Sequence, residues 1–313
     1  MNFHPAGFPV SSRRVLISVL LAAGLAGCAS VSSPTAEWSD SKREPVGPDF
    51  PSAHGLFNAG PVSVTARDLP DHAWVRVRFK LIVTGTWDGS SRVWGPDLWS
   101  LQVRGGPQLM FTGFCNMGGF VNNRSQAYPD DFPWGSHAAW TGAIPLGAKA
   151  FPGLGDDNPQ ADAAYPIEVV FPHEGKTLTL DFAGIYDDPP GEKQRWAVAG
   201  FEYVTMAGPV KASPAELSRL WDDMASPESV RANEAMWKLI STGADGVAFV
   251  TSKVDALAKT FAEAPSRLPF RGAEALRLRR ADKMLRIADA EHAGRVRYWL
   301  EHHYPEYFEP PGL

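Results

Sequence analysis

The stretch Trp74 to Val83 (WVRVRFKLIV) constrains the fold most, because apolar and basic residues alternate along it. Val75, Val77, Phe79 and Leu81 fall on one side; Arg76, Arg78 and Lys80 fall on the other. A period of two suits a strand with one face in a core and the other in water. The basic row then reads as a solvated face rather than a polyanion site. Further strands are expected at 98–103, 108–114, 167–171, 176–183 and 196–205, with Leu178, Leu180 and Phe182 inward in the fourth of these. Between the first strand and the next lies WDGSSRVWGPDLWSLQV (residues 87–103), which sets Trp87, Trp94 and Trp99 around two Gly/Asp turns. Short strands, Gly/Pro/Asp turns and no helical spacing between them predict an antiparallel sandwich.

The chain opens differently. Arg13 and Arg14 precede an apolar run, Val15 to Gly24, too short for a stable membrane span and of the length of a signal-peptide core. Leu25-Ala26-Gly27-Cys28 follows and resembles a bacterial lipobox. That resemblance implies cleavage before Cys28, a diacylglycerol on its sulfur, an acylated amino terminus (palmitate-type lipidation) and, with Ala29 next, sorting to an outer membrane. Residues 1–27 are thus expected to be a signal peptide. Residues 28–55, rich in Ser, Pro and charge, are expected to be a disordered tether. Residues 56–208 would form the sandwich and 209–313 an α-helical domain, each long enough to bury its own core. The formal charge of −5 becomes −7 once Arg13 and Arg14 are removed. Such an acidic chain lacks the concentrated positive surface that nucleic acid requires, so no nucleic-acid partner is expected. With Cys28 lipidated, Cys115 has no partner for an intrachain disulfide and is expected to be a small buried thiol.

Several motifs in the sandwich carry a family likeness. Leu81-Ile82-Val83 through Trp87-Asp88-Gly89, Gly95-Pro96-Asp97, Trp99-Ser100-Leu101, Ser125-Gln126-Ala127-Tyr128-Pro129 and Phe171-Pro172-His173 together resemble a jelly-roll module akin to concanavalin-like and MAM-type domains. The likeness spans about residues 60–206 and implies surface display, adhesion or glycan contact more than catalysis. The last strand of such modules carries an acidic or amide pair that helps hold calcium. Ala199 and Gly200 stand in its place here, which argues against calcium at that strand.

After Pro209 the pattern turns helical. Ser213-Pro214-Ala215-Glu216 supplies a cap, a proline at the first helical position and a glutamate at the third, with Leu217, Leu220, Trp221 and Met224 as the apolar stripe. A second helix is expected from Ser226-Pro227 with Val230, Met236, Trp237 and Ile240 inward, and others near 245–262, 272–289 and 291–303. Leu220-Trp221-Asp222-Asp223-Met224-Ala225-Ser226, Ala235-Met236-Trp237-Lys238-Leu239 and Arg280-Ala281-Asp282-Lys283-Met284-Leu285 resemble a HEAT-like segment of large planctomycete-type proteins. Stacked helix pairs of that kind present a binding surface.

Two groups of residues are candidate sites. Asp88 and Asp97 lead a set of acidic turns that includes Asp130, Asp131, Asp156, Asp157, Asp187 and Asp188. Aspartates so placed either join backbone carbonyls around Ca²⁺ or make the turn by bonding their own backbone. The loop Ser125–Gly142 carries Tyr128, Phe132, Trp134 and Trp140, which either stack on sugar rings or fold inward over the sandwich edge. No catalytic set is found: Glu168 stands alone, no Gly-x-Ser-x-Gly or His-Glu-x-x-His occurs, and His302 and His303 diverge by about 100° on a helix. The expectation is a non-enzymatic, lipid-anchored envelope protein that contacts a glycan or cell-wall polymer through the sandwich and a protein partner through the helices. The alternatives are a carbohydrate-active hydrolase whose acids meet only in the fold, and a purely structural spacer.

Overall fold

In the computed structural model the described residues are 36–46, 50–91, 95–116, 125–146, 162–186, 194–263, 273–288 and 297. The signal segment with Cys28, Trp94, the aspartates at 156, 157, 187 and 188, and the expected fifth helix with His302 and His303 lie outside them. The strands are β1 (Glu37–Trp38), β2 (Arg43–Val46), β3 (Phe50–Phe57), β4 (Gly60–Ala66), β5 (Trp74–Thr84), β6 (Leu98–Val103), β7 (Gln108–Gly113), β8 (Ser125–Gln126), β9 (His137–Ala138), β10 (Ile144–Pro145), β11 (Ala163–Pro172), β12 (Leu178–Ile185) and β13 (Arg195–Met206). Four helices follow: α1 (Pro214–Asp223), α2 (Ser229–Ser241), α3 (Ala244–Glu263) and α4 (Ala273–Ala288). None of the described helices is long and apolar enough to cross a membrane.

One antiparallel sheet has the order β1-β4-β12-β6-β7, another β10-β11-β5-β13-β3-β2, and β8 and β9 make a small ribbon. The two large sheets pack face to face. Phe79 of β5 meets Phe182 of β12 edge-on at 5.6 Å and Trp99 of β6 at 6.0 Å, and Trp99 meets Trp196 of β13 at 6.1 Å. Alternation does what it predicts on β5 and β12: Val75, Val77, Phe79, Leu81, Leu178, Leu180 and Phe182 are all buried. The outward row of β5 is solvated, and Glu168 of β11 answers it from Arg78 at 2.6 Å and Arg76 at 3.4 Å. On β13 the ladder with β5 slips between Ala199 and Glu202, where Gly200 takes φ 60°. Only a residue without a Cβ enters that region freely, so this glycine serves a bulge.

The tether expectation for 28–55 is corrected over its described part. Residues 37–38, 43–46 and 50–55 lie in β1, β2 and β3, and β3 pairs with β13 next to the centre of its sheet. Trp38 explains the ordering: its ring stacks on His54 at 4.3 Å and on Phe182 at 5.5 Å. A single half-buried aromatic in a polar stretch has no period, so it left no pattern to read.

The helical part begins as its cap predicts, with Ser213 Oγ accepting from the Glu216 amide at 3.2 Å. The second helix starts at Ser229, later than expected, because Ser226 Oγ takes the Glu228 amide and closes a turn first. Val230 consequently faces outward, 36% exposed, while Met236, Trp237 and Ile240 are buried as expected. Helices α2 and α4 lie against β11, which pairs with β10 only through Ala163 and Ala164. Apolar residues of α1, α2, α3 and α4 join those of both sheets in one continuous cluster. The helices therefore do not close a core of their own; they share the sandwich's.

Candidate functional site

The loop expected to carry a ligand surface, Ser125–Gly142, is organised around a residue that sequence reasoning missed. Gln126 is fully buried. Its Oε1 accepts from the Cys115 amide at 3.3 Å, the Trp140 amide at 3.0 Å and the Tyr165 hydroxyl at 3.1 Å. Its Nε2 donates to the carbonyls of Thr141 (2.9 Å) and Tyr128 (3.0 Å). One amide side chain thus satisfies backbone from both ends of the loop, which a buried irregular segment requires. Nothing in the spacing of a lone glutamine signals this.

The four loop aromatics are brought to one region but do not form a common platform. Tyr128 is buried, packed against Phe114 and Tyr165 with its hydroxyl donating to the Pro166 carbonyl at 3.3 Å. Burial pushes its phenol pKa well up. Phe132 lies edge-on to Phe111, its amide donating to the Phe111 carbonyl at 2.8 Å. Trp134 has the Arg279 guanidinium over its ring at 4.1 Å. Trp140 is half-buried, and its indole nitrogen is enclosed.

What binds here is α4. Asp130, 7% exposed, receives the Arg280 guanidinium in a two-point pair, Nε to Oδ1 and Nη2 to Oδ2, both 2.7 Å. Arg280 Nη1 also donates to the Met224 carbonyl at the end of α1. His137 Nε2 lies 2.8 Å from Asp130 Oδ2. Burial alone would raise the Asp130 carboxyl, but His137 and Arg280 outweigh it and leave the group below its ordinary range. Lys283 Nζ reaches Asp131 at 2.6 Å and lies over the Trp237 ring at 5.5 Å. Asp282 is bonded by Arg286 at 3.1 Å through one oxygen, while its Oδ1 has no hydrogen-bond partner. Burial raises its pKa against the pull of Arg286. Asp130 and Asp131, considered above as possible calcium ligands, are therefore engaged by cationic side chains.

Beside this seam runs a groove of about 660 Å³ between the loop and the start of α2. Ser136, His137 and Thr141 line one wall; Glu228, Val230 and Glu234 line the other.

Asp88 and Asp97 are also brought together, both buried. Asp97 Oδ2 accepts from the Asp88 amide at 2.5 Å, and the Asp97 amide donates to the Gly89 carbonyl at 2.9 Å. Gly89, at φ 64°, sits so close to β8 that a Cβ would come within 2.3 Å of the Ser125 carbonyl oxygen. The Asp97 carboxylate is thus a turn-former. Among the described residues no three His, Cys, Asp or Glu side chains converge as a metal site would need. Cys115 is a buried thiol, and Trp87 and Trp99 are fully buried.

No family model matches the chain, and no curated protein does. Among solved structures it is similar to a rhamnosidase from Klebsiella oxytoca with rhamnose bound, at 11% identity and a TM-score of 0.19. The alignment covers 79% of this chain and 62% of that one, so the chain spans less than two thirds of that structure. A likeness at that score carries no argument about activity.

Proposed function

We propose that this is a lipid-anchored cell-envelope protein that binds or scaffolds, built as a jelly-roll sandwich with a HEAT-like helical segment and held by acyl chains on Cys28, at an outer membrane. The observation that carries the binding reading is the preformed groove at the seam. The Asp130–Arg280 pair ties the loop of one wall to α4, which packs against the α2 of the other. A groove fixed before the ligand arrives loses little ordering entropy on binding. The glycan contact expected of the loop aromatics moves to this groove, since Tyr128 is buried and Trp134 is covered by Arg279.

Thermal unfolding of the full chain in detergent, with a panel of envelope polysaccharides, tests the reading. A ligand at 100 times its dissociation constant adds about 2.7 kcal/mol. The expected outcome is a shift that Val230→Trp abolishes and Trp134→Ala leaves in place; no shift with any polymer leaves only a protein-partner scaffold. Loss of acyl label in Cys28→Ala checks the anchor separately.

A second reading is favoured by one observation: Glu228 and Glu234 both line the groove. Glu228 caps α2 and Glu234 lies six residues on, about 9 Å along the axis and about 120° around it, so a sugar chain laid across the helix start would meet one acid on each side, as inverting glycosidases require. Release of reducing sugar, lost in both Glu228→Gln and Glu234→Gln, would make the protein a hydrolase.

A further inference from the structure

Away from the seam, the segment entering β5 meets the turn after β11, and two histidines face each other there. His72 Nε2 lies 2.8 Å from His173 Nδ1, and His72 Nδ1 lies 2.6 Å from the Pro70 carbonyl oxygen. The rings are 12° from coplanar with centroids 5.1 Å apart. That separation is the hydrogen bond plus two ring radii, so the imidazoles meet edge to edge in a common plane, with the bond along the line joining them.

This geometry places the protons. A carbonyl oxygen only accepts, so His72 Nδ1 carries hydrogen. In the neutral ring His72 Nε2 is then bare and accepts, so the proton between the rings belongs to His173 Nδ1. Both neutral imidazoles are then in the Nδ1–H form. A first proton, on either ring, still leaves one hydrogen between the two nitrogens and the contact intact. A second sets two N–H groups against each other at 2.8 Å, and the contact must part.

The pair joins two pieces of backbone. The Leu69 amide donates to the Lys176 carbonyl and the His173 amide to the Ala73 carbonyl, both at 3.1 Å. The charged groups around it are largely spoken for: Asp71 pairs with Lys176 at 2.6 Å, Glu174 on the turn is exposed, and across the junction to the helices Lys211 pairs with Asp245 at 3.1 Å. We propose that His72 and His173 form an acid-opened latch between residues 69–73 and the β11–β12 turn, closed while at most one ring is charged and open when both are. Burial and then the charge of His72, against the Thr177 carbonyl, hold His173 below the ordinary histidine value. Its contribution to stability is therefore present above that value and is lost as the pH falls below it.

Nitrogen-15 spectra of the histidine rings and amide-exchange protection of the full chain, followed from about pH 7.5 to about pH 4.5, test the latch. Both rings should be in the Nδ1–H form at neutral pH. Protection of Leu69 should fall about tenfold or more on acidification relative to Leu180 in β12. In His173→Gln, whose amide donates to neutral His72 and, turned over, accepts from charged His72, that protection should no longer depend on pH. An Nε2–H ring at neutral pH, or wild-type Leu69 protection that does not change, overturns the proposal even where the variant fails to fold.

Discussion

Between the two sheets the large contacts are carbon on carbon: Phe79, Trp99, Phe182 and Trp196 touch one another with no charge among them. Where α4 meets the loop, α1 and α2, by contrast, charged side chains lie over aromatic rings. Arg277 covers Trp221, Arg279 covers Trp134, Lys283 covers Trp237, and Arg280 is buried in a pair with Asp130. Both interiors exclude water, but they respond differently to damage. An apolar interior loses in proportion to the volume removed. A buried ion pair loses little when both partners are replaced by apolar groups and a great deal when one is left alone. The sandwich is therefore held by shape, and the seam by matched charge.

Trp99→Ala should be the most damaging single change. The side chain is fully buried against Phe79, Phe114, Phe182 and Trp196. Truncating it should cost about 3–5 kcal/mol, read from denaturant midpoints at constant slope. A loss under about 1 kcal/mol would mean that the sheets do not meet through this ring.

The seam is sharpened by a cycle. Arg280→Met alone leaves the buried Asp130 carboxylate with His137 but without its guanidinium and should cost about 3 kcal/mol, whereas Arg280→Met with Asp130→Leu should recover most of it. If the double variant is as unstable as the single, matched charge is not what holds the seam. Proteolysis between α1 and α2 would report which part opens first.

Asp282 tests the same region with a smaller change and a definite sign. Its folded pKa is raised by burial, so the carboxylate destabilises the fold above that pKa, and the penalty disappears as the pH falls through it. Asp282→Asn should stabilise the protein at neutral pH, and the gain should vanish in acid. Asp130, with its lowered pKa, behaves oppositely: its contribution is present above the ordinary carboxylate value and is lost as the pH falls through its folded pKa. Melting curves of Asp282→Asn and wild type across pH separate the two.

The contrast between the regions also explains what was readable in the sequence. Val75 to Leu81 and Leu178 to Phe182 announce themselves because a strand repeats its side chains every second residue. Ser213-Pro214-Ala215-Glu216 announces a helix start because the cap is local in sequence. The seam has neither property. Asp130 and Arg280 lie 150 residues apart, and no local rule joins them. Gln126 was invisible for the same reason, since its five partners come from several segments of the chain. The loop aromatics were legible as a cluster but ambiguous in role. Tyr128 turns in against Phe114 and Tyr165, Phe132 against Phe111 and Trp134 under Arg279 of α4, partners from distant segments that no local pattern announces.

Glu168 supplies the smallest effect and the control for all the others. It too is a paired carboxylate, set between two guanidinium groups, Arg76 at 3.4 Å and Arg78 at 2.6 Å, where Asp130 has one guanidinium and His137. Its side chain is 46% exposed, however, where water screens each charge and the long arginines lose freedom to hold one geometry. Glu168→Gln should therefore change stability by no more than about 0.5 kcal/mol, and raising the salt to about 1 M should erase even that. Should it cost as much as Arg280→Met, burial would not be what separates the two carboxylates, and the division between a fold held by shape and a seam held by charge would fail at its premise.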